Sequence, residues 1–212
     1  MNVLQTLHAR AVVLTLVVSC SLVACGDDDA GSRSTSAALD LPSWPAPEDP
    51  VDRTVAAGLE PLVRESLENH RHSHLDVFVD GEPVTVPAGV GIDITDPGVK
   101  HFPDPAYGGI EECAEPCISP LHTHDETGIL HTESPAEDLL TLGQFFVEWD
   151  VRLDDRCVGE FCEPATDIAF YLDGEETDGD PAEITLDDRL EIAIVIGTPP
   201  ATIPETADFS RA

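Results

Sequence analysis

Twice along this chain a run of β-forming residues stops at Asp-Gly-Glu. The first is Asp76-Val77-Phe78-Val79-Asp80-Gly81-Glu82, and the second is Ile168-Ala169-Phe170-Tyr171-Leu172-Asp173-Gly174-Glu175. Asp-Gly between two strand-forming segments suits a two-residue hairpin turn, because the tight turn needs positive φ angles that these residues tolerate. Each run therefore predicts a hairpin, with Val84-Thr85-Val86 returning in the first half. Further strands are expected at Val90-Gly91-Ile92-Asp93-Ile94, at Ile184-Thr185-Leu186 and over 190–197. Short strands broken at such intervals favour a mainly β fold, an antiparallel sandwich or barrel-like domain. One short helix interrupts them. Thr141 followed by Gln144 is a capping-box pattern, and Leu142, Phe145, Phe146 and Trp149 fall on one helical face as a core stripe.

The N-terminus reads as a targeting segment. His8 and Arg10 precede an apolar stretch, 11–18, which is too short to span a bilayer. Leu22-Val23-Ala24-Cys25 resembles the lipobox of bacterial lipoproteins, whose cysteine becomes the lipidated first residue. The resemblance implies a signal peptide over 1–24, a lipid on Cys25, and a place in the cell envelope outside the cytoplasm, periplasmic or on the outer surface. Residues 25–69 then read as a lipidated tether in which Leu59, Leu62, Val63 and Leu67 lie near the spacing of a short helix. A single β-rich domain is expected over 70–200, with a tail over 201–212.

Charge narrows the partners. The chain carries 42 acidic and 10 basic residues, a formal charge of −32, and Lys100 is its sole lysine. Such a surface repels phosphate backbones, which excludes nucleic acid, and it concentrates cations. Outside the leader, Cys113, Cys117, Cys157 and Cys162 remain once Cys25 takes a lipid. An even number in an oxidising compartment reads as two disulfides. The local pairs are favoured among three connectivities, and a zinc ion held by all four thiolates is the alternative.

Six of the eight histidines fall in two short runs, His70-Arg71-His72-Ser73-His74 and the segment from Leu121 to Glu133. In the second, His122 and His124 share a strand face, as do His131 and Glu133 on the return. A four-residue loop from Asp125 to Gly128 sets His122 opposite His131, with Cβ atoms about 4.5–5.5 Å apart. Imidazoles so clustered are suited to holding a transition metal. The candidate ligands are His122, His124 and His131, with Glu133, His74 and His72 as further donors. Copper and zinc both suit them. Met1 is the sole methionine, which argues against a blue-copper centre.

The pieces His72-Ser73-His74-Leu75, Val86-Pro87-Ala88-Gly89-Val90-Gly91-Ile92, Leu121-His122-Thr123-His124-Asp125 with Gly128-Ile129-Leu130-His131-Thr132-Glu133-Ser134-Pro135, and Thr141-Leu142-Gly143-Gln144-Phe145-Phe146 with Trp149 resemble a group of exported bacterial and archaeal proteins. Their shared pattern is HxHL…G, VPAGIGI, LHTHDxxGIIHxExP and TLGxFFxxW. The resemblance implies export and domain limits, and it carries no known activity. The expected function is a membrane-anchored lipoprotein that binds a divalent transition metal for acquisition, buffering or delivery. A metal-dependent or acid–base enzyme at the same site is one alternative. A structural or adhesive surface domain with a histidine ladder is another. No nucleophile signature such as G-x-S-x-G is present, so no catalytic residue is assigned.

Overall fold

The computed structural model describes residues 41–211, apart from 104, 136 and 138. The signal segment and Cys25 lie outside the described residues. A mixed sheet organises the domain. Its long first strand, β1 (Asn69–Val79), is followed by β2 (Glu82–Val84), and the pair forms the first expected hairpin. Two small strands, β3 (Lys100–Phe102) and β4 (Ala106–Gly108), pair separately. The histidine hairpin supplies β5 (Leu121–His122) and β6 (Ile129–Ser134). Strands β7 (Cys157–Val158) and β8 (Phe161–Cys162) form a small ribbon. The second expected hairpin is β9 (Ile168–Leu172) with β10 (Glu175–Thr177), and β11 (Glu191–Ile196) comes last.

The main sheet runs β10-β9-β11-β1-β6-β5, with β2 also on β1, and it does not close into a barrel. Most pairs are antiparallel, as expected. The exception is the central pair, β1 with β11, which is parallel from His74–Glu191 to Val79–Ile196. Both Asp-Gly turns form with left-handed backbone at each position: φ is 50° and 84° at Asp80 and Gly81, and 50° and 82° at Asp173 and Gly174. These are the angles that the residue pair tolerates and most others resist.

One face of the sheet carries the core. Leu75, Val77, Leu121, Leu130 and Ile194 pack against helix α2 (Leu142–Trp149), whose Leu142, Phe145, Phe146 and Trp149 are buried as the sequence stripe required. The capping box is formed in both directions: Thr141 Oγ accepts from Gln144 N–H at 3.3 Å, and Gln144 Oε1 accepts from Thr141 N–H at 2.9 Å. Removing a cap of this kind costs about 1 kcal/mol. Thr141→Ala is therefore expected to lower ΔG of unfolding by that amount, seen as a lower guanidinium midpoint at unchanged slope.

The packed core takes in residues N-terminal to where the sequence placed the domain: Leu41, Trp44 and Ala46 pack against it. Trp44 stands edge-on to Trp149 with ring centroids 5.8 Å apart, and its carbonyl accepts from Trp149 Nε1–H at 2.8 Å. The helix of this region is α1 (Pro50–Ala56), starting at a proline, and not the segment from Leu59 to Leu67. Arg53 ties it to Asp150 just past α2. Both disulfides join the local pairs, Cys113–Cys117 and Cys157–Cys162, so no thiolate is left for a four-cysteine zinc site. Among the described residues no helix is long and apolar enough to cross a membrane.

Candidate metal centre

The register of the hairpin decides the site. β5 and β6 pair with His122 opposite His131, as a four-residue loop demands, and Gly128 closes that loop at φ +83°. On the other side of β6, β1 sets His72 opposite His131 and His70 opposite Glu133. Alternate residues of a strand share a face. His122, His131 and His72 thus form a row across three adjacent strands, on the face away from α2, and Glu133 and His70 form the next row.

His124 lies just past β5 and is aimed by the backbone of β4. Tyr107 N–H donates to the His124 carbonyl at 2.8 Å, and His124 Nδ1–H donates to the Tyr107 carbonyl at 2.6 Å. Thr123 turns the opposite way. Its hydroxyl donates to the Pro87 carbonyl at 2.7 Å and accepts from Val90 N–H at 3.1 Å. The Val86–Val90 segment therefore fixes the strand from behind while the two histidines project forward.

The tautomers follow from these bonds. A backbone carbonyl only accepts, so the nitrogen that faces it carries the hydrogen. His122 Nδ1 faces the Ser119 carbonyl at 2.9 Å, and His124 Nδ1 faces that of Tyr107. In the neutral rings each Nε2 is left with a lone pair. Those two atoms face each other 3.2 Å apart. Two lone pairs repel unless a proton or a cation lies between them. Adjacent nitrogens on a tetrahedral zinc ion lie about 3.3 Å apart for Zn–N bonds of 2.0–2.1 Å, so the spacing suits a shared ion. Fixing the outer nitrogen on a carbonyl is also how proteins orient histidine ligands.

Two more donors complete the set. His131 Nδ1 is buried without a hydrogen-bond partner and lies 3.7 Å from Glu133 Oε1, which is 3.9 Å from His122 Nε2. One donor atom from each of His122, His124, His131 and Glu133 falls within 4.8 Å of the others, so the group could hold a metal ion. Burial, reinforced by the neighbouring imidazoles, holds His122 well below its ordinary pKa and pushes His131 down to about 3. Rings kept neutral in this way keep the lone pair that a metal needs. Burial raises the pKa of Glu133.

His72 and His74 divide. His72 joins His70 and His131 in a second group of donor atoms within 4.8 Å, and burial with its imidazole neighbours lowers its pKa to about 4. His74 turns away from the hairpin ligands and toward β11. Its Nε2–H donates to the Thr127 carbonyl at 2.8 Å, and Nδ1 lies 3.1 and 3.0 Å from the two oxygens of Glu191. Burial disfavours its charge, but the hydrogen bond and charge of Glu191 outweigh it, so its pKa is raised. His74 with Glu191 and Asp76 forms a separate group whose ring nitrogens are already engaged.

Some supporting residues had no signature in the sequence. The Ser119 and Tyr107 carbonyls act through the backbone, which carries no residue-type signal. Glu148, buried in α2, accepts from Ser119 Oγ at 2.5 Å, behind the carbonyl that orients His122. Burial pushes its pKa up to about 8, partly opposed by hydrogen bonds from Ser119 and Thr54. His70 is exposed but reaches in, with Nε2 3.2 Å from Glu133 Oε1. Its alternation with His72 was the signal that could have placed it. A cleft of about 390 Å³ opens over the centre, lined by Glu65, His70, Tyr107, His124, His131 and Glu133 among others. No family model matches this chain, and no curated protein or solved structure matches it significantly.

Proposed function

We propose that this protein binds a divalent transition metal, copper or zinc, through His122, His124, His131 and Glu133. The facing Nε2 atoms of His122 and His124 carry the reading. Both outer nitrogens are committed to carbonyls, and the inner pair is spaced for one ion. A ladder of purely structural histidines would pair these lone pairs with donors. The lipobox at Cys25 and the two disulfides support an exported, lipid-anchored protein that acquires, buffers or delivers the metal at the envelope. The cleft over His124, His131 and Glu133 supports a second reading, a metal-dependent enzyme with an open coordination position. Turnover of a small substrate by the loaded protein would decide for that reading.

Elemental analysis and calorimetric titration of the purified protein test the metal itself. The wild type is expected to retain copper or zinc, and His122→Ala/His124→Ala is expected to lose the ion held at that site. Background metal in the wild type, with the same weak binding in the variant, would overturn the proposal.

A further inference from the structure

The donors outnumber what one ion can use. Five imidazoles and one carboxylate form a continuous group: ring centroids are 4.4 Å apart for His70–His72, 4.6 Å for His72–His131, 4.3 Å for His131–His124 and 4.7 Å for His122–His124. A tetrahedral ion takes four ligands. Once His122, His124 and Glu133 are engaged, His70 and His72 remain beside His131, and the donor atoms of these three already lie within 4.8 Å of one another.

Three buried atoms there have no hydrogen-bond partner: His72 Nε2, His131 Nδ1 and Glu133 Oε2. The Glu133 side chain is 4% exposed and that of His131 is 9% exposed, so water does not freely satisfy them. Buried polar atoms of a native protein are as a rule paired with protein, water or an ion. Glu133 sits where the two groups meet. Its Oε1 is 3.2 Å from His70 Nε2 on one side and 3.9 Å from His122 Nε2 on the other. A carboxylate has two oxygens, and each can take a different cation.

From this we propose a second, adjoining metal site formed by His70, His72 and His131, with Glu133 bridging it to the ion at His122 and His124. The inference rests on the metal-binding reading and deepens it: the centre is binuclear. The ligand class is a divalent transition cation that prefers imidazole, such as Cu(II) or Zn(II). With both ions in place, His131, which belongs to both groups, passes to the second ion with His70 and His72, and His122 and His124 hold the first. Each ion takes one oxygen of Glu133. The first ion is then left with three protein ligands and faces the cleft through His124.

Native mass spectrometry of the full chain titrated with Zn(II) counts the ions, and electron paramagnetic resonance of the Cu(II)-loaded chain reports whether they are adjacent. Two equivalents are expected in the wild type, with a half-field signal from coupled Cu(II) ions. His70→Ala/His72→Ala is expected to keep one equivalent and give an uncoupled Cu(II) spectrum. One equivalent in the wild type would overturn the second site and leave the first reading standing. No bound metal would overturn both. Two equivalents in the variant, or two uncoupled ions in the wild type, would place the second ion elsewhere and also overturn the proposal.

Discussion

Replacing Glu148 with glutamine is expected to stabilise the protein increasingly as pH rises from about 5 to 8. The side chain is fully buried in α2, and burial raises its pKa to about 8. In the unfolded chain the same carboxyl titrates near 4.5. Between those values the folded state keeps a proton that the unfolded state releases. Stability then falls as pH rises, by about 1.4 kcal/mol per pH unit for one such group. Glutamine has no proton to lose and can still accept from Ser119 Oγ. The advantage of Glu148→Gln should be small near pH 4.5 and reach roughly 2–4 kcal/mol by pH 7. Denaturant midpoints of both proteins across pH 5 to 8 measure it, in the metal-free state. A gap that stays constant over that range would mean that Glu148 is already ionised within the fold.

Gly128→Ala is expected to be strongly destabilising. The residue sits at φ +83°, and an added Cβ would stand 2.6 Å from the Leu75 carbonyl oxygen and 3.0 Å from His74 Nε2. The first contact is with backbone, so a side chain cannot simply swing aside. Left-handed geometry costs a residue with a Cβ about 1–2 kcal/mol, and overpacking adds about 1–3 kcal/mol. Together these predict a loss of about 2–5 kcal/mol in ΔG of unfolding. The Leu75 N–H to Gly128 carbonyl bond, 2.9 Å, would be strained as well, and with it the loop that sets the hairpin register. Metal affinity should drop in the same variant. A loss in ΔG of unfolding under about 1 kcal/mol, from the guanidinium midpoint and slope, would show that β1 yields at this point.

Much of this was legible in the sequence because it rests on local rules. The Asp-Gly turns, the Thr141–Gln144 capping box and the alternation of His122, His131 and Glu133 each depend on neighbours a few residues apart. Turn chemistry and strand period fix such features directly. The short spacing within each cysteine pair favoured the two local disulfides, which the structure shows. The parallel pairing of β1 with β11 did not, because it joins segments over a hundred positions apart and no local signal records such a pairing. His74 showed the same limit. It alternates with His70 and His72, yet Glu191 on β11 and the Thr127 carbonyl of the hairpin loop engage both of its ring nitrogens. The role of Trp44 and α1 in the fold was hidden by composition, since a Pro- and Asp-rich segment resembles a tether until its aromatic residue finds Trp149.

That central pairing also sets an order of events. Every donor of the candidate centre lies between His70 and Glu133, while the strand that flanks β1 on its other side is β11, near the end of the chain. A nascent chain holds all the imidazoles long before it holds the partner that completes the sheet. Contacts of such sequence separation form late and slow a fold, because a large loop must close before they contribute. A chain cut short before Glu191 would carry the full set of candidate donors on β1, β5 and β6 and lack the strand that flanks β1 on its other edge.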